Sequence, residues 1–166
     1  FERRHMRVSP VFRLAWHTTA NRRIFIKLRL FKRSSAAVHG LLPSVVERLS
    51  ALEGHTLAPG SVVVDVGASL GAFAIAVALQ LPHVRVFAVE PAAQNYRYLV
   101  WNIRANNVTH RVWPLNLAVG GALDPPSTSL KYSPVWPTAS SHCPAARATD
   151  CEFASYSVQT VTLPKL

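Results

Sequence analysis

The stretch "VVVDVGASLGAFAIAVAL" (residues 62–79) decides the fold: strand-forming valines are broken by an acid and two glycines, and the apolar run then resumes as a helix. "SVVVDV" has no polar alternation before Asp65, the pattern expected of a strand covered on both faces. Gly67 and Gly71 supply the turn, and a helix is expected from about Leu70 to Leu81, where Pro82 stops it. Downstream, "VRVFAVE" reads as the next strand, ending at Glu90. Pro91 then opens a helix to about Asn106 that sets Tyr96, Leu99, Val100 and Ile103 on one face. "HRVWPLNLAV" follows as a third strand, and Pro114 within it argues for a sheet edge, because a central strand cannot spare the amide hydrogen. Upstream, "LLPSVVERLSAL" predicts a helix from about Ser44 to Leu52, ended by Gly54, with Val45, Leu49 and Leu52 on one stripe. Strand, helix, strand, helix, strand specifies a parallel sheet with right-handed crossovers.

Ligands of such sheets bind outside the carboxyl ends of the strands. Asp65 and Glu90 both fall there, which raises the question of what wants two carboxylates. A dinucleotide fingerprint G-x-G-x-x-G fails twice, at Ser69 and Ala72, and no Gly-Lys-Ser/Thr follows to make a P-loop. Asp65 is also badly placed for a diphosphate, since an anion at a helix start seeks amide hydrogens. The pattern suits a cationic amine or sulfonium near Asp65, a small group against the Gly67–Gly71 backbone and a ribose diol facing Glu90. S-adenosylmethionine has these features.

From about Leu57 to Gly121, in "APGSVVVDVGASLGAFAIAVA", "RVFAVEPAAQNYRYLVWNIRANN" and "LNLAVG", and more faintly in "VQTVTLPKL", the chain resembles the FkbM family of class I S-adenosylmethionine-dependent methyltransferases. The resemblance implies a Rossmann-like, three-layer α/β/α sheet. It implies that Asp65, Gly67, Ala68, Ser69 and Gly71 line the methionine moiety, that Glu90 holds the ribose hydroxyls, and that Asn116 to Ala118 border the adenine. Asn102 matches a family asparagine on the second helix. The sequence departs from the family at Ser69, usually asparagine, at Val89, usually phenylalanine, and at Pro164, usually an acid. The family's fourth strand, with its acidic motif, and the strands beyond it have no counterpart, so the sheet is expected to be truncated after the third strand. The implied reaction is transfer of a methyl group to a hydroxyl of a sugar or secondary metabolite. His110 and His83 are candidate bases by residue type only.

The remaining features bound the reading. The 166 residues, 49% hydrophobic and 16% charged, describe one globular domain. No apolar run reaches the roughly 18 residues of a membrane span. Of the net charge of +10, +9 falls within residues 1–34, which hold ten Lys or Arg and one acid. This gives a division into a basic N-terminal arm (1–35), a cofactor-binding core (36–121), and a Pro-rich loop with a terminal strand (122–166). The arm, with "RRIFIKLRLFKR", is read as a solvated or partner-covered extension or an organelle-targeting remnant; peripheral membrane contact or a nucleic acid backbone are its alternatives. A cytoplasmic location is favoured. Cys143 and Cys151, with His142, lack zinc-site spacing, so free thiols and no metal are expected. Three functions stay open: a methyltransferase with a small hydroxyl-bearing acceptor, a noncatalytic nucleoside-binding fragment, and a nucleic acid methyltransferase gripping the backbone through the arm.

Overall fold

The computed structural model describes residues 11–17, 23–29, 35–53, 57–132 and 154–162. Its centre is the expected parallel sheet, β3 (Val62–Val66), β4 (Arg85–Val89) and β5 (Val112–Leu115), in that spatial order. The register sets Asp65 opposite Ala88 and Val66 opposite Val89, so β3 and β4 end together. β5 lies at the sheet edge with Pro114 opposite Ala88, where its missing amide hydrogen leaves no gap in the ladder.

The crossovers are α2 (Ala72–Gln80) after β3 and α3 (Ala93–Ala105) after β4. Every residue of α2 from Ala72 to Ala78 is buried, as an all-apolar helix requires. α3 is amphipathic and turns Leu99 and Ile103 into the core, with Tyr96 partly buried against it. The preceding helix, α1 (Ser35–Glu53), starts at Ser35 and not at Ser44, and it runs through Pro43. Its Val45 and Leu49 are buried, as the stripe predicts.

What closes the outer side of α2 comes from the stretch read as a basic arm. β1 (Val11–His17) and β2 (Arg23–Arg29) form an antiparallel hairpin, and β2 packs against α2 and α3. Ile26 and Leu28 are completely buried while Lys27 is exposed. The alternation has period two, so one face of β2 belongs to the core and the cations take the other. Over these residues the stretch is therefore part of the domain and not a separate arm.

A second correction concerns the Pro-rich region. β7 (Ser127–Tyr132) and β8 (Ala154–Val161) pair antiparallel across it, and β6 (Ala118–Val119) pairs parallel to β8, making a small second sheet. The expected loop from 122 to 157 is thus bounded by paired strands. Cys143, Cys151 and His142 lie outside the described residues.

Among the described residues, helices cover the face of the parallel sheet that carries Asp65, Val86, Ala88 and Val112. On the other face Val62, Val64, Val66 and Trp113 are 50%, 40%, 48% and 37% exposed, and the Phe87 and Trp113 rings pack with centroids 5.7 Å apart.

Candidate functional site

The site is built where β3 and β4 stop. After Val66 the chain folds back over the end of β4, with the amides of Gly67 and Ala68 both donating to the Val89 carbonyl at 2.9 Å. Ser69 then adopts a left-handed φ of 52°, a conformation asparagine tolerates better than serine, which gives a physical reason for the residue usual in the resembled family. Gly71, at φ 84°, turns the chain into α2, and its carbonyl accepts the Ile75 amide at 2.9 Å.

The turn brings Ser69 to Glu90. The Ser69 amide donates to Oε2 of Glu90 at 2.8 Å, while Oε1 accepts the Ala92 amide at 2.9 Å and Asn95 Nδ2 at 3.3 Å. Glu90 is 5% exposed. Three of its roughly four lone-pair sites are thus used, and the open one is on Oε2. Asn116, exposed at the end of β5, donates through Nδ2 to the backbone carbonyls of Glu90 at 2.8 Å and Pro91 at 3.0 Å. Ala118 lies one step further on, buried in β6 beside Thr160.

Asp65 is the other carboxylate, 1% exposed. Its Oδ1 accepts Arg48 Nη2 from α1 at 2.7 Å, and its buried Oδ2 has no hydrogen-bond partner. Arg48 in turn lies over the Phe73 ring at 4.0 Å. Burial pushes the Asp65 carboxyl up from its ordinary range, and the Arg48 guanidinium and the Ala74 amide pull it back only in part. Burial also raises Glu90, reinforced by the negative charge of Asp65, against the Ala92 and Ser69 amides and the Asn95 side chain. The Asp65 charge bears on Glu90, and among the described residues one cation, Arg48, pairs with Asp65. The cluster has room, electrostatically, for one more positive charge.

The structure therefore brings Asp65, Gly67, Ala68, Ser69, Gly71, Glu90 and Asn116 to one end of the sheet, with Ala118 close behind in sequence. It separates the two histidines from them. His83 precedes β4, its ring nitrogen 3.0 Å from the Leu57 carbonyl, and His110 precedes β5, where Nε2 accepts Arg111 Nε at 3.1 Å. Both sit at the amino ends of their strands, so neither is a base for chemistry at the carboxyl ends. Arg48 was not visible to sequence reasoning as a site residue; its only signal is a position flanking the Val45–Leu49–Leu52 stripe. Asn102 proves to be a clamp: fully buried, it accepts the Arg29 amide at 2.7 Å and donates to the Leu70 carbonyl at 2.9 Å.

Comparison with known proteins bears on this geometry. Residues 47–121 match the family model of the TRM5/TYW2 methyltransferase domain. The fold is Rossmann-like α/β. S-adenosylmethionine is the cofactor proteins of this type use. Over 59 residues the chain is 48% identical to the 31-O-demethyl-FK506 methyltransferase FkbM of Streptomyces tacrolimicus, which is 36% of this chain and 21% of that protein. Among solved structures, P. horikoshii TYW2 in complex with MeSAdo is 22% identical over 65% of this chain and 36% of that one, TM-score 0.41. M. jannaschii TYW2 in complex with AdoMet is 18% identical over 72% and 62%, TM-score 0.38. The chain thus spans about a fifth of the length of the curated relative it matches. These matches support the broad methyltransferase class and not FkbM in particular. Among the described residues no group of His, Cys, Asp and Glu could hold a metal, and no helix is long and apolar enough to cross a membrane.

Proposed function

We propose that this chain carries the cofactor-binding part of an S-adenosylmethionine-dependent methyltransferase. The observation that carries the reading is the pair of buried carboxylates at adjacent strand ends, matched by one arginine, with Oδ2 of Asp65 unpartnered. A ligand bearing an ammonium and a sulfonium supplies the missing charge. Asp65 meets the cationic methionine end, and the backbone from Gly67 through Ala68 and Ser69 to Gly71 lines it. Glu90 accepts a ribose hydroxyl at the open site on Oε2; the 3.3 Å bond from Asn95 is the one that yields if both hydroxyls bind. Asn116 and Ala118 border the adenine.

The sulfonium supplies an already activated methyl group. The chain's own contribution is alignment, holding the cofactor so that an acceptor can approach in line. The acceptor we propose is a hydroxyl of a small molecule, a sugar or secondary metabolite, following the partial match to FkbM. A nucleic acid acceptor is the second reading, favoured by the +9 charge of residues 1–34 and by the TRM5/TYW2 family match. The two separate on salt: RNA binding that falls steeply with ionic strength supports the second, and salt-independent behaviour removes it.

The reading itself is tested by titrating S-adenosylmethionine, up to millimolar, into the isotopically labelled chain while following amide resonances. Shifts at Gly67–Gly71 and Glu90–Ala92, abolished by Asp65→Ala and by Glu90→Ala, are expected. A spectrum that does not change, or variants that bind undiminished, overturns the site.

A further inference from the structure

In a site read as accepting a cationic cofactor, one feature runs against expectation: the chain has placed a cation of its own on the acid. Arg48 Nη2 is 2.7 Å from Oδ1 of Asp65, and the guanidinium is laid over the Phe73 ring, at the start of α2, with a centroid distance of 4.0 Å. The arginine side chain is 44% exposed while the Asp65 side chain is not exposed at all. The pair is therefore asymmetric. Water can hydrate Arg48 from one side, so its charge costs little, while Asp65 depends on Arg48 for the nearest compensation of its own.

We propose that Arg48 is a positioning residue for cofactor binding: by occupying Oδ1 and resting on Phe73 it fixes the Asp65 carboxylate and leaves Oδ2 as the atom that receives the ligand's cation. The inference rests on the reading of the site as an S-adenosylmethionine site. Its geometry supplies a reason for the orphan oxygen. A carboxylate has acceptor sites on both oxygens, and here one is filled by a fixed planar donor while the other, buried, is unfilled. An arginine fork can meet both oxygens of a carboxylate at once, and here it meets one.

Among the described residues, the charged groups around Asp65 are Arg48 from α1 and Glu90 just after β4, with which it shares repulsion; α2 has no titratable side chain and offers the Ala74 amide. Taking Arg48 away leaves two buried acids without their cation, so Asp65 holds its proton to a higher pH. A protonated Asp65 cannot attract an ammonium. Loss of Arg48 therefore acts mainly on the acid limb of binding, and above that limb it leaves the carboxylate free to turn, so the cation loses a fixed acceptor.

The experiment measures binding of S-adenosylmethionine and, as a ligand without ammonium or sulfonium, adenosine, to the wild-type chain, Arg48→Gln and Arg48→Lys between about pH 4 and 7, below the titration of the ligand's own amine. For S-adenosylmethionine the pH midpoint is expected to rise by about one unit in Arg48→Gln, which is about tenfold weaker binding on the acid limb, with a smaller loss above it. Arg48→Lys keeps the charge and should hold the wild-type midpoint; it also serves if Arg48→Gln does not fold. Adenosine binding should be indifferent to both substitutions. Profiles that superimpose, or a loss in Arg48→Gln that is equal at every pH and for both ligands, overturn the role of Arg48 while leaving the site intact. No binding of either ligand by the wild-type chain overturns the site itself, and this inference with it.

Discussion

Asn102 and Asn106 offer a matched pair for testing what holds the N-terminal hairpin to the loop between β3 and α2. Each makes three hydrogen bonds to backbone, and each reaches β2. Asn102 accepts the Arg29 amide at 2.7 Å and donates to the carbonyls of Arg29 at 3.3 Å and Leu70 at 2.9 Å. Asn106, one turn on, accepts the Lys27 amide at 2.9 Å and donates to the carbonyls of Lys27 at 2.8 Å and Asn102 at 2.7 Å. Burial is the difference: Asn102 is fully buried, and Asn106 is only half-buried with its bonds to Lys27 exposed. Asn102→Ala strands the buried Leu70 carbonyl, at about 1–3 kcal/mol, and loses two part-buried bonds at about 0.5–1 kcal/mol each. Regained side-chain freedom offsets about 1 kcal/mol, leaving a destabilisation of about 1–4 kcal/mol. Asn106→Ala exposes its partners to water and should cost about 1 kcal/mol or less. Urea unfolding with an unchanged m-value reads both, and amide exchange at Arg29 against Lys27 locates the opening. Equal costs for the two variants would refute the argument from burial.

Two further outcomes follow from the site. Gly71→Ala should destabilise by about 2–4 kcal/mol, because its φ of 84° is unfavourable to a Cβ and that atom would collide with Cδ1 of the fully buried Leu99; Gly67→Ala, at φ 76° in open space, should cost only about 1 kcal/mol, measured in the same urea assay. With pH, the sign is set by two carboxyls raised in the folded state. The native chain then binds more protons than the unfolded one between the ordinary carboxylate range and the raised values, so stability falls as pH rises through that window and levels above it. Asp65→Asn removes its share of the slope, and urea midpoints against pH that run parallel for wild type and variant would contradict the assignment.

The sequence carried the parallel sheet because its signals are local. Valines, glycine turn, apolar helix and a proline stop follow one another within twenty residues or so, and Pro114 marks an edge by chemistry alone. Asp65 and Glu90 were legible for the same reason: once the strands are placed, their last residues are placed. The hairpin was not. In "IKLR" the cations dominate composition, but burial follows the alternation, and Ile26 and Leu28 face inward between Lys27 and Arg29. β7 and β8 pair across a proline-rich interval that offers no local period, so their partnership is a long-range fact. Arg48 hid because a helix reveals its stripe and not which flanking residue reaches across to another element.

The carboxylates also bear on the ligand site we propose. Glu90 accepts two backbone amides and one side-chain amide, an environment that by itself lowers a carboxyl pKa and would reward the folded chain with stability at neutral pH. An acid kept only to tether the turn to the start of α3 would keep that benefit. Here burial, with a second buried acid nearby, overrides it, and ionisation becomes a cost to folding. The same holds for Asp65 in spite of a 2.7 Å arginine. The unliganded fold thus bears an electrostatic penalty that a cation binding only the native state would relieve, adding stability in proportion to the logarithm of its concentration over its dissociation constant. Such a cost, at the end of the sheet where α/β proteins bind their ligands, supports the binding site we propose.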